Sequence, residues 1–149
     1  MITYILPYQG KTAIDAPMTL WTIPELASVG MTKDKAIATL EDGATESSVI
    51  EGIGYFNTCA RGKLSGEEDG FLKVTAKYNK QKKAHEIVGV HIFGEGANEL
   101  IQLGSVLVHS TGVTLEAVSN TPFSAVTLSG LYQAACEDAL NRFALTKHT

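Results

Sequence analysis

From Gly70 to Tyr78 the side chains alternate: Phe71, Lys73, Thr75 and Lys77 interleave with Leu72, Val74, Ala76 and Tyr78. A period of two sends one set of side chains to a wet face and the other to a core, so this run belongs to a sheet with one face exposed. His85 to Phe93 is a second β-prone run, and the connector NKQKK between the two is short enough for an antiparallel hairpin. Ser47 to Phe56 supplies a third run, and Pro17 to Thr22 (PMTLWT) a fourth. The Ile23-Pro24-Glu25 triplet closes the fourth run, because Pro24 has no amide to donate to a ladder.

Helical spacing occupies most of the remainder. After Gly30, Thr32 offers a hydroxyl to the first free amides of KDKAIATLED, where Ala36, Ile37 and Leu40 share a face, and Gly43 stops the helix. From Ala97 to Ser110, Leu100, Ile101, Leu103, Gly104, Val106, Leu107 and Val108 follow so densely that this helix should be covered on most sides. Thr114 caps a short helix through Val118, and Leu128 to Leu145 turns Leu131, Ala134, Ala135, Ala139 and Leu140 inward. ARGKLSGEEDG, polar and glycine-rich, reads as a mobile loop. The order β-α-β-β-β-α-α describes an α+β domain, an antiparallel sheet with helices packed on one face. Residues 1–16, with Pro7, Gly10 and Lys11, read as a linker or N-terminal extension to a domain spanning 17–149.

Several function classes drop out. Twelve basic against sixteen acidic residues give a net charge of −4, and no basic block exceeds the Lys80, Lys82, Lys83 cluster, so nucleic acid is not an expected partner. No apolar run approaches the ~20 residues of a membrane span, and Met1 to Lys11 lacks an export signal; a cytoplasmic chain without membrane contact is expected. Cys59 and Cys136 stand far apart, and His85, His91, His109 and His148 form no ligand spacing, so neither a metal nor a dithiol is expected. Ser110, Ser124 and Ser129 lie in no nucleophile motif. Glu67, Glu68 and Asp69 read as a solvated face. GIGYFN and GEGANE each lack the third glycine of a dinucleotide loop and read as structural turns.

TIPELASVGMTKDKA, the pair GFLKV and EIVGVHIFG, and the helix opening GEGANELI together resemble the C-terminal dimerisation domain of the flavin-dependent pyridine nucleotide-disulfide oxidoreductases. FGEGANELIQLGSVLV and the tail SNTPFSAVTLSGLYQAACEDALNRF are most similar to the soluble transhydrogenase branch. The resemblance implies a homodimer whose FAD and NAD(P) sites lie on other domains of a parent chain, so that no cofactor is expected on this chain in isolation. In the disulfide reductases the loop before the last helix carries a His-Pro-Thr tripeptide and, three residues past the threonine, a glutamate; the His-Glu pair is the acid-base partner across the interface. With Thr127 at the threonine, Ala125 falls at the histidine, Val126 at the proline and Gly130 at the glutamate. Neither alanine nor glycine carries a proton, so no catalytic residue is expected. Pro122, Phe123, Ser124, Ala125, Val126 and Thr127 are expected to approach the partner's flavin in a full-length enzyme as a packing surface. Glu99, Leu100, Leu103, Gly104, Leu107, Leu131 and Ala135 are the expected interface, with Gly104 at a close helix crossing. Without the resemblance, Thr121-Pro122 is a turn, Trp21 a core aromatic and Glu99 a first-turn acid favoured by the helix dipole. A free-standing module that binds a separate flavoprotein is the alternative.

Overall fold

The computed structural model describes residues 16–40 and 44–146. The expected stop at Gly43 and the segment before residue 16 lie outside the described residues. Five strands, β1 (Met18–Leu20), β2 (Leu26–Gly30), β3 (Val49–Tyr55), β4 (Phe71–Asn79) and β5 (Ala84–Phe93), form one sheet in the order β1-β2-β5-β4-β3. Every neighbouring pair is antiparallel. The β4–β5 hairpin is the centre of the sheet, and its turn is built by Asn79, whose side-chain oxygen accepts the amides of Gln81 at 2.9 Å and Lys82 at 3.1 Å. Lys82 Nζ then donates to Glu86 Oε1 at 2.7 Å; that bond and the one from Asn79 hold the Glu86 carboxyl below its ordinary range.

Thr75 pairs with Gly89 and Ala76 with Ile87, leaving Val88 as a bulge on β5. The extra residue keeps Ile87, Val90 and Ile92 on the same side as Leu72, Val74 and Ala76, and all six are buried there. Three helices cover that side: α3 (Ala97–His109), α4 (Leu115–Ser119) and α5 (Gly130–Thr146). Glycines on β3 set how closely α5 can lie, since a Cβ on Gly52 would overlap the Ala135 carbonyl and the Ala139 amide. The glycines of GIGYFN therefore serve helix–strand packing, as Ala135 and Ala139 do from the helix side. At the same seam Asp138 Oδ2 accepts the outward amide of Ile53 at 2.9 Å and Arg142 Nε at 2.8 Å.

Four features depart from the sequence reading. LASVG forms β2, a five-residue strand with no clean alternation, recruited by its register along β5 from Leu26↔Phe93 to Gly30↔Gly89. The glycine-rich stretch after β3 is not a plain loop: it holds α2 (Ala60–Ser65), started by the Cys59 sulfur accepting the Gly62 amide at 3.3 Å and stopped by Gly66 in the left-handed region at φ +74°. Trp21 is no core aromatic, being 82% exposed at the β1–β2 corner. The short α1 (Lys33–Ala38), capped by Thr32 as expected, approaches the opposite side of the sheet. Lys77 Nζ donates to the Thr39 carbonyl there at 2.7 Å, and the Met31 backbone leaves no room for a Cβ on Gly89.

Two buried groups tie the helix layer down. Tyr132 is fully buried and its hydroxyl donates to the Leu100 carbonyl at 2.6 Å, joining α5 to α3. Burial is also the main reason its phenol titrates above the ordinary range. Cys136 lies beside it in the core, with a thiol pushed up to about 12 by burial first and then by the charges of Glu116 and Glu137.

Tyr132→Phe should cost about 1 kcal/mol, the net worth of a typical internal hydrogen bond, read from the urea midpoint with an unchanged slope. An unchanged midpoint would show that the bond contributes nothing net. In native protein at pH 8, iodoacetamide should label the half-buried Cys59 and spare Cys136, which reacts only as fast as the core opens. Equal labelling rates at the two thiols would contradict the burial.

Candidate interaction site

The two segments that carry the family resemblance, TIPE and GEGANE, are in direct contact. The Glu25 carbonyl accepts the Gly94 amide at 3.0 Å, and its carboxylate oxygen Oε2 accepts the Asn98 amide at 3.2 Å. The N-cap residue of α3 is Gly96, which has no side chain to cap the helix, so Glu25 supplies from the β1–β2 connection the acceptor that a serine or aspartate would give locally. The charge also complements the positive end of the helix. Across the corner the Thr22 hydroxyl donates to the Pro24 carbonyl at 2.6 Å, and the Ile23-Pro24 peptide is cis.

Helix α3 then divides its apolar residues by direction. Ala97, Leu100, Ile101 and Gly104 are buried, while Glu99, Gln102, Val106 and His109 follow one another at spacings of three and four along the exposed side. Leu103 and Leu107 are half-buried and flank that stripe. Val106 is the large apolar residue on it, 60% exposed. The helix is thus less in need of an outside cover than its composition implied, because β2, β5 and α5 absorb most of it.

The seven residues expected at an interface separate accordingly. Glu99 is exposed, and Leu103 and Leu107 are half-buried and reachable. Leu100, Gly104, Leu131 and Ala135 instead belong to the protomer's own interior. A Cβ on Gly104 would lie 2.9 Å from the Tyr132 hydroxyl and 3.1 Å from Val90 Cβ, so its small size serves the packing of α3 on β5 and α5 within one chain.

Between α4 and α5 the loop is anchored at its near end and displayed at its tip. Thr114 Oγ1 caps α4 by accepting the Ala117 amide at 3.1 Å. Thr121 Oγ1 donates to the Ala117 carbonyl at 2.8 Å, Asn120 to the Glu116 carbonyl at 2.7 Å, and Gln133 from α5 to the Ser119 carbonyl at 3.1 Å. Phe123 turns inward against the core, while Pro122, Ser124, Ala125 and Val126 are exposed. Val126 has φ +59°, a left-handed conformation that a β-branched residue rarely adopts. Thr127 Oγ1 donates to the Ser124 carbonyl at 3.0 Å and closes the turn around it. Ala125 is exposed at this tip, and Gly130 is the first residue of α5.

The remaining candidates lie elsewhere. His85 is buried beneath the helix layer, its Nδ1 3.5 Å from Glu116 Oε1, with the rings of Tyr78 and Phe143 against it. His91 sits on the other side of the sheet, Nε2 3.3 Å from the Met31 carbonyl, and burial depresses its titration below the ordinary histidine range. Among the described residues no three His, Cys, Asp or Glu side chains converge on a metal position. GEGANE does not sit where a Rossmann-type dinucleotide loop does, at the carboxyl end of parallel strands, because it follows β5, whose neighbours are both antiparallel. What the sequence reading missed is the role of Glu25.

A family model for the pyridine nucleotide-disulphide oxidoreductase dimerisation domain matches residues 16–136. Soluble pyridine nucleotide transhydrogenase of Pseudomonas fluorescens is 32% identical over 132 residues, covering 86% of this chain and 26% of the relative. Its counterpart from Marinobacter nauticus is 33% identical over the same shares. The chain therefore spans about a quarter of the length of these relatives. Among solved structures, LpdA from Mycobacterium tuberculosis superposes with a TM-score of 0.70 at 22% identity, over 86% of this chain and 26% of that one. The flavoprotein disulfide reductase RclA from Escherichia coli gives 0.69 at 18% identity, over 89% and 29%. These two likenesses establish the fold, and no helix among the described residues is long and apolar enough to cross a membrane. By the match over residues 16–136, the chain belongs to the pyridine nucleotide-disulphide oxidoreductase family and is its dimerisation domain.

Proposed function

We propose that this chain is the homodimer-forming part of a cytoplasmic FAD-dependent oxidoreductase of the soluble transhydrogenase type, which moves hydride between NAD(H) and NADP(H), and that it has no activity alone. The observation that carries this reading is the α4–α5 loop: it holds an exposed apolar tip in a fixed turn and has Ala125 and Gly130 where a disulfide reductase needs acid and base. Hydride transfer through a flavin needs no protonation of a thiolate at that position, so the tip can act by packing and by excluding water. Flavin and nucleotide sites belong to other domains of a parent chain, and Pro122 to Thr127 would meet the flavin side of the partner subunit. The transhydrogenase names of the relatives at 32–33% identity favour this branch over the disulfide reductases.

The seam between two copies runs, in this reading, along the outer stripe of α3, with Val106 at its centre, Leu103 and Leu107 beside it and Glu99 at its rim. Obligate homodimer interfaces commonly bury more than ~2,000 Å², so further surface must join this stripe.

Four outcomes are expected. The purified chain should be colourless and fail to transfer hydride from NADPH to an NAD analogue; a flavin spectrum with turnover would defeat the proposal. Light scattering should give twice the 15.9 kDa chain mass, and Val106→Arg should shift it toward monomer with its circular dichroism intact, because a desolvated charge at the seam is paid for in each copy. Gly104→Leu should instead lower stability by about 1–3 kcal/mol through overpacking of the protomer. A wild-type monomer, or a dimer indifferent to Val106→Arg, would remove α3 from the seam. Finally, Val126→Gly should raise the stability of the isolated chain by about 0.5–1 kcal/mol, the relief of left-handed strain less the entropy glycine brings to the unfolded chain. A loss of stability would mean that the valine side chain is held by packing worth more than the strain.

A further inference from the structure

We draw no further inference here: the strongest candidate, the exposed apolar side of the sheet and its β1–β2 corner formed by Leu20, Trp21, Ile23, Leu26, Phe71 and Phe93, carries nothing because nothing in the structure shows what covers it.

Discussion

Glu25 is the hinge on which the layers of this domain meet. Its carbonyl takes the Gly94 amide just past β5, and its carboxylate takes an amide in the first turn of α3. A cap of this kind is worth about 0.5–2 kcal/mol. Its structural reach is greater than its energy, because α3 starts from a glycine that offers no cap of its own. The direction in which α3 leaves the sheet is fixed at this point, and with it the division between Leu100, Ile101 and Gly104 facing inward and Val106 facing out. Tyr132 then fastens α5 to the same helix through the Leu100 carbonyl. Sheet edge, central hairpin and both long helices are thereby connected through two carboxylate or hydroxyl contacts and one tightly packed glycine.

Much of this was legible in the order of residues. Strand β4 announced itself because polar and apolar side chains alternate along it, although Thr75 of the expected wet face is buried and donates to Glu51; α1 and α4 did so because Thr32 and Thr114 sit where a cap is needed. The features that escaped have different causes, one distant and one local. LASVG becomes a strand because β5 offers it a ladder. ARGKLSG becomes a helix through a cysteine cap that propensity does not anticipate. The interface residues were harder still, since periodicity tells that a helix has apolar faces without telling whose core they fill. Leu131 and Ala135 fill their own, under glycines on β3 whose only sequence mark was a loose nucleotide-like pattern.

The loop before α5 is anchored at its near end and displayed at its tip. The anchoring bonds from Asn120, Thr121 and Gln133 are those of a loop that must stay in place. Its tip carries Ala125 and Val126, neither of which exchanges a proton near neutral pH.

The bond from Ile53 to Asp138 bears on how many copies can join. An outer strand is a template for another chain, and a β3 with open amides would invite copies to line up side by side without limit. With that amide engaged by a carboxylate, itself held by Arg142, and with α5 lying along the strand, the ladder has a closed end. A strand added at β3 would have to displace that carboxylate, which disfavours edge-to-edge pairing on this side of the sheet.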